Sequence, residues 1–298
     1  MITTNTIFVL GAGASIPYGF PSGETLVNHI LGHSSDDELG SAGIDRTEFK
    51  KFQIQLLSSK QSSVDAFLEH RTDLQSVGKK AIALHLIHHE TEDKLFAVDP
   101  DEDWYKYLID RVTEGASFED LHKNRIGFVT FNYDRSLEQC LFTTIRARYN
   151  KTPEEVGALL REFPIVHVYG ALGWLPWQTP ANAPCRNYDD SRTQGDIELA
   201  ASSIKIMPDH VDSSNDFSTA QSLMSQADRI GILGFGYHPV NMRRLQLPLG
   251  KTKVYGTSVG MTEAEKRHVM TRYPGLGLES RGSRNLEFLR ETPDFQND

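Results

Sequence analysis

The chain has 298 residues, 39% hydrophobic and 24% charged, with Lys+Arg 31 against Asp+Glu 40 and a formal net charge of −9. This apolar share supports a real core and excludes wholesale disorder, and the acidic balance argues against direct nucleic-acid binding. No stretch approaches the roughly 20 apolar residues of a membrane span, and two cysteines, Cys140 and Cys185, build neither a disulfide framework nor a four-cysteine zinc site.

The chain begins with Thr6-Ile7-Phe8-Val9-Leu10 followed by Gly11-Ala12-Gly13-Ala14-Ser15. A β-branched and aromatic run broken by glycines predicts a buried parallel strand and a tight turn. The same run is too short for a signal-peptide core, so a cytoplasmic chain is expected. A helix is expected over Gly23–Leu31, and the polar, glycine-containing residues 34–44 read as a surface loop. From Arg46 to Val112 the apolar spacing turns helical: Val64, Phe67 and Leu68 fall at i, i+3, i+4 behind Ser63 as N-cap, and Trp104, Leu108 and Val112 at i, i+4, i+8. Residues 46–120 therefore read as a helical insertion within a single domain covering residues 1–298.

A second strand is expected over Ile126–Thr130, followed by Phe131-Asn132-Tyr133-Asp134 and a helix to about Tyr149. A third covers residues 165–168, ahead of Tyr169-Gly170. Residues 174–195 are rich in Pro, Trp and Asn and read as an irregular loop. Further strands are expected at residues 204–207, at Arg229–Leu233 ahead of Gly234-Phe235-Gly236, and at residues 253–255 ahead of Gly256-Thr257-Ser258. Residues 291–298 read as frayed. Strands that end in Gly, Asn or Ser and feed helices predict an α/β fold, a Rossmann-like parallel sheet with a helical insertion module, and place ligands beyond the carboxyl ends of the strands.

The glycines at 11 and 13 would let the backbone approach a pyrophosphate. The usual fingerprint G-x-G-x-x-G fails because position 16 is Ile, and no acidic residue closes a second strand about 20 residues on, which argues against an ordinary hydride-transferring enzyme. Asn132 has an amide that both donates and accepts, suited to a ribose hydroxyl or a water, while Asp134 suits a helix cap or a hydroxyl. His167 is a candidate general base or a satisfied structural histidine. His85, His88, His89 and Glu92 share helical spacing without a third ligand, so they read as a solvated helix face and no metal is expected. Arg243, Arg244, Lys251 and Lys253 read as a basic cluster, either plain surface or a contact for phosphates, Trp174 and Trp177 as loop packing or a ligand contact, and Cys140 as buried and inert.

In order, Gly-Ala-Gly-Ala-Ser with Gly19-Phe20-Pro21, Asn-Tyr-Asp, a His/Gly segment, Gly-Phe-Gly and Gly-Thr-Ser resemble the sirtuin-like (silent-information-regulator) family over about residues 5–260. The segment Ser63-Val64-Asp65-Ala66-Phe67-Leu68 resembles a helix start of the bacterial branch. The resemblance implies NAD+ as substrate. Gly11, Ala12, Gly13, Ala14 and Ser15 would then hold the pyrophosphate, with Pro21 and Gly170 bordering the site. Asn132 and Asp134 would face the nicotinamide ribose, and Gly234, Phe235, Gly236, Asn241, Gly256, Thr257 and Ser258 the adenosine. The chain lacks the cysteines of the deacetylases' zinc ribbon, which directs the resemblance to NAD-hydrolysing antiphage-defence effectors. Such an activity implies restraint by homo-oligomerisation or by a regulatory partner such as an ATPase or a phage-sensing subunit. The family often has His directly before the glycine at the third strand end. Here Tyr169 holds that position and His167 stands two residues earlier on the same face, so either is a candidate base. An NAD+ glycohydrolase is expected, with an inactive NAD+ or ADP-ribose sensor as the alternative.

Overall fold

The computed structural model describes residues 1–179, 183–208 and 214–296. Strand β1 (Thr6–Leu10) leads through two short 3-10 turns into α1 (Gly23–Leu31), α2 (Asp36–Ser41), α3 (Arg46–Ser59), α4 (Val64–Leu68), α5 (Gln75–Ile87), α6 (Glu92–Phe96) and α7 (Trp104–Thr113). Then follow β2 (Ile126–Thr130), α8 (Ser136–Tyr149), α9 (Pro153–Leu160), β3 (Ile165–His167), α10 (Gln194–Ser203) and α11 (Asn215–Ser225). The last part holds β4 (Arg229–Leu233), α12 (Pro239–Leu245), β5 (Lys253–Gly256), α13 (Glu263–Arg272), β6 (Leu276–Leu278), α14 (Asn285–Glu291) and α15 (Pro293–Gln296).

The six strands form one parallel sheet in the order β3-β2-β1-β4-β5-β6. This is a doubly wound α/β arrangement whose strand order reverses between β1 and β4. Every residue of β1, β2 and β4 is buried, as expected for strands covered on both faces. Alternation along β1 sends Phe8 and Leu10 into a core shared with Phe52, Trp104 and Leu141, and Ile7 and Val9 into a second core with Phe217, Met224 and Leu245. The first core runs without a break from the sheet into helices α1 to α7. No helix among the described residues is long and apolar enough to cross a membrane.

Local caps follow the sequence. The Ser22 hydroxyl accepts from Thr25 N at 3.1 Å to start α1, and Ser63 caps α4 by accepting from Ala66 N at 3.5 Å. The expected strand over residues 204–207 is absent. Ile204 closes α10, and Lys205 N gives one backbone bond to Tyr169 O at 2.8 Å, beyond the end of β3, in place of a strand ladder. Residues 34–44 are not all loop: Ser35 caps α2, and Leu39 is buried beneath it. Strand β6 was not expected, because Leu276-Gly277-Leu278 is too short and too poor in β-branched residues to read as one. The terminus is anchored through Gln296: Phe295 is buried, its ring 5.6 Å from that of Phe8.

Candidate active site at the carboxyl ends of β1, β2 and β4

The loop after β1 and the loop after β4 meet where the strand order reverses. Gly11 N donates to Leu233 O at 3.0 Å and Gly13 N to Gly234 O at 2.9 Å. A Cβ on Gly11 would sit 2.5 Å from Gly234 O, and one on Gly234 only 2.1 Å from Ala14 N at a φ of +58°. Glycine is therefore demanded first by the approach of one backbone to the other. Among the described residues, the amides of Gly11, Gly13, Ala14 and Ser15 all donate within the protein. Two 3-10 turns follow the loop, and α1 begins only at Gly23, with Pro21 half-buried on the way in.

Side chains from three other elements hold the loop's carbonyls. Asn132 Nδ2 donates to Gly11 O at 2.9 Å and to Ser15 Oγ at 3.0 Å. Trp104 Nε1 reaches Ala14 O at 2.8 Å from the helical region, and Asn285 Nδ2 reaches Gly13 O at 3.1 Å from α14. The sequence carried no signal for Trp104 or Asn285 in this role, because both come from distant segments. Ser15 also bonds Asp134, whose Oδ1 accepts from Ser136 N at 3.1 Å and from the Ser136 hydroxyl. Burial pushes the Asp134 pKa above the ordinary carboxylate value, against the lowering effect of the Ser136 and Ser15 bonds. Gly11, Ser15, Asn132 and Asp134 thus form one connected group.

His167 closes β3, and both of its ring nitrogens are engaged. Nδ1 lies 2.8 Å from Asn132 O, and Nε2 lies 2.6 Å from Glu138 Oε1 on the first turn of α8. Burial alone would lower its pKa, but the charge and hydrogen bond of Glu138 outweigh burial and raise it. Tyr169 does not share a strand face with His167: β3 ends at His167, Tyr169 sits in the turn closed by Gly170 N on His167 O, and its side chain is held by other partners. Its hydroxyl donates to Asn241 Oδ1 at 2.8 Å and accepts from Arg244 Nη1 at 2.5 Å, and burial pushes its pKa up to about 12. Arg244, expected at the surface, is fully buried. It also bonds Pro208 O at 2.8 Å and faces Glu69 from the helical region. Gly170 turns at a φ of +75°, where a Cβ would strike Ser203 O at 1.9 Å.

The β4 and β5 ends are tied to each other. Gly234 N donates to Thr257 Oγ1 at 2.9 Å, Tyr237 OH to Thr257 O at 2.8 Å, and Ser258 Oγ to Glu279 O at 2.6 Å. Gly256 is buried and a Cβ there would meet Tyr237 OH, Phe235 packs edge-on against Phe131 at 4.8 Å, and Gly236 is exposed with open space around it. Tyr133, beside Asn132, donates to Asp65 of α4, whose carboxyl pKa is raised by burial. Ala12, Gly13, Gly170, Gly234 and Asn241 are half-buried. No group of three or more His, Cys, Asp or Glu among the described residues is arranged to hold a metal ion. Cys140 is buried, and burial pushes its thiol up to about 12, whereas Cys185 is exposed.

No family model matches the chain, and no curated protein matches it. Among solved structures it is similar to a triple mutant of a Sir2 homologue in complex with 2'-O-acetyl ADP ribose. The two chains share 12% identity with a TM-score of 0.38 over 95% of this chain and 88% of that one.

Proposed function

We propose that the chain binds NAD+ across the β1–β4 crevice and cleaves its N-glycosidic bond, giving nicotinamide and ADP-ribose. The observation that carries this reading is the connected group of Asn132, Ser15 and Asp134 placed against the glycine loop at the reversal of a doubly wound sheet. Ligands of such sheets lie at that reversal, and the ordered motifs that resemble the sirtuin-like family fall on the same strand ends. The Gly13 and Gly234 amides are spent within the protein, so half-buried Ala12 is the loop residue suited to the pyrophosphate, and Gly256, Thr257 and Ser258 border the adenosine side.

In this reading nicotinamide leaves with the bonding electron pair, C1′ of the ribose takes on oxocarbenium character, and water adds to C1′ and loses one proton. The nicotinamide ring is already cationic, so its departure needs no strong acid. Asn132 orients the ribose or the water, and Asp134 faces the developing charge. The Asp134 carboxylate, made more basic by burial, also takes the proton. Of the two bases expected from the sequence, His167 is free to accept a proton only by giving up Glu138, and Tyr169 serves Asn241 and Arg244.

Purified protein incubated with NAD+ is expected to release nicotinamide, and Asn132→Ala and Asp134→Asn to abolish release while each still unfolds cooperatively. Full activity in either variant sinks the assignment. The engaged side chains of His167 and Tyr169 favour one second reading, an inactive sensor of NAD+ or ADP-ribose. It predicts stabilisation by NAD+, about 2.7 kcal/mol at 100 times the dissociation constant, with no nicotinamide released. As a hydrolase the protein would deplete NAD+ in the cell, which fits a defence effector held in check by homo-oligomerisation or a regulatory partner. Phage challenge of cells carrying wild type or Asn132→Ala tests that role, and equal protection by both overturns it.

A further inference from the structure

Glu138 is a buried carboxylate with no part in the chemistry above. It lies on the first turn of α8, 2% exposed, with Oε1 at 2.6 Å from His167 Nε2. His167 Nδ1 stands 2.8 Å from the carbonyl oxygen of Asn132. A carbonyl only accepts, so Nδ1 carries a hydrogen and the ring bridges Glu138 to the backbone of the turn. The Asn132 amide is fixed as well, donating to Thr130 Oγ1 at 3.1 Å. Both polar groups of this one residue's backbone are therefore held, one by the strand end and one by the imidazole. The side chains of Asn132 and Asp134 leave the chain on either side of Tyr133, so their aim depends on that backbone.

We propose that Glu138 is a positioning residue which, acting through the His167 ring, fixes the Asn132 carbonyl and so aims Asn132 and Asp134 at the substrate. The proposal rests on the reading of Asn132 and Asp134 as the reacting pair. The groups facing His167 are Glu138 from α8 and Asp134 from the turn after β2. Across a cavity of about 330 Å³ that Glu138 and His167 line stand Lys205 and Asp216, which pair with each other at 2.5 Å. Glu138 and Asp134 favour the imidazolium, and Lys205 is already matched. Through this arrangement a charge on α8 governs the geometry of the neighbouring turn, and a neutral residue of the same shape removes the charge without removing the packing.

The test is Glu138→Gln in the full chain, followed by NMR of the His167 ring and of the Asn132 and Asp134 backbone amides across a pH titration. NAD+ affinity by calorimetry and steady-state nicotinamide release are measured on the same protein. The ring is expected to lose its proton at lower pH than in wild type, and both amides to shift. The kcat should fall about tenfold, the size of one lost charge-assisted hydrogen bond, with KM changed less. An unaltered His167 titration, or unmoved Asn132 and Asp134 amides, overturns the proposal. Should Glu138→Gln not fold, Glu138→Asp keeps the charge, withdraws it by one methylene, and is read by the same signals. If wild type neither binds nor cleaves NAD+, the functional reading fails by itself, and the NMR signals still decide whether Glu138 controls the turn.

Discussion

Gly234 holds a φ of +58° with its Cα against the backbone of Gly13 and Ala14. A methyl group there meets Ala14 N at 2.1 Å, and neither backbone can retreat without breaking the Gly13–Gly234 bond. Gly234→Ala should cost about 2–4 kcal/mol from left-handed strain and overpacking together, read as a lowered denaturant midpoint. A change under half a kcal/mol would mean that the two loops are not in contact. Asn132 shows how one side chain serves fold and site at once. Its amide satisfies Gly11 O and Ser15 Oγ, so Asn132→Ala should cost roughly 1–3 kcal/mol in addition to any loss of activity. Activity comparisons therefore belong well below the mutant's melting temperature.

Among the elements, the segment between β3 and α10 is held by charge. Arg135 at the start of α8 gives two bonds to Glu90, at 2.9 and 2.5 Å, and others to Arg186 O at 3.0 Å and Asn187 O at 2.9 Å. Arg186 itself pairs with Glu90, and all three side chains are almost wholly buried. Removing one partner of such a buried group leaves the others uncompensated, which costs about 3–5 kcal/mol. Glu90→Ala should show that loss by chemical denaturation, and limited proteolysis should cut first between residues 174 and 190. Cleavage elsewhere would show that the clamp does not secure this segment. The sequence revealed an irregular loop here, but not the clamp, because Glu90, Arg135 and Arg186 lie in separate segments.

The whole molecule carries opposing histidine effects. Burial pushes His85 and His89 down to about 4 from an ordinary value of 6.5. The unfolded chain therefore binds more protons in that window, and stability falls as pH drops from 6.5 towards 4. His167 has the opposite sign: its pKa is raised, so its contribution is complete below 6.5 and is lost as pH climbs through the folded value. The melting temperature should decline on acidification below pH 6.5, and His85→Gln should flatten the decline. An identical slope in that variant would show that His85 titrates alike in the folded and the unfolded chain.

The strands β1, β2 and β4 were legible because parallel strands buried on both faces read as unbroken apolar runs, and the turns after them because glycine and asparagine have few other reasons to follow such runs. Ser63 and the apolar spacing of Val64, Phe67 and Leu68 marked a helix for the same local reason. Strand β6 and helix α2 were not legible: three residues around a glycine, or a six-residue, mostly polar segment with one buried leucine, become structure only when neighbours supply the missing contacts. The same holds at the site. That glycines 11, 13 and 234 would lie on strand ends followed from the sequence. That they press on one another, that Arg244 is buried beneath Tyr169, and that Glu138 holds His167 were decided by the tertiary structure. Composition and periodicity report what one segment does with water and with itself, whereas a buried charge finds its partner only once distant segments share a space.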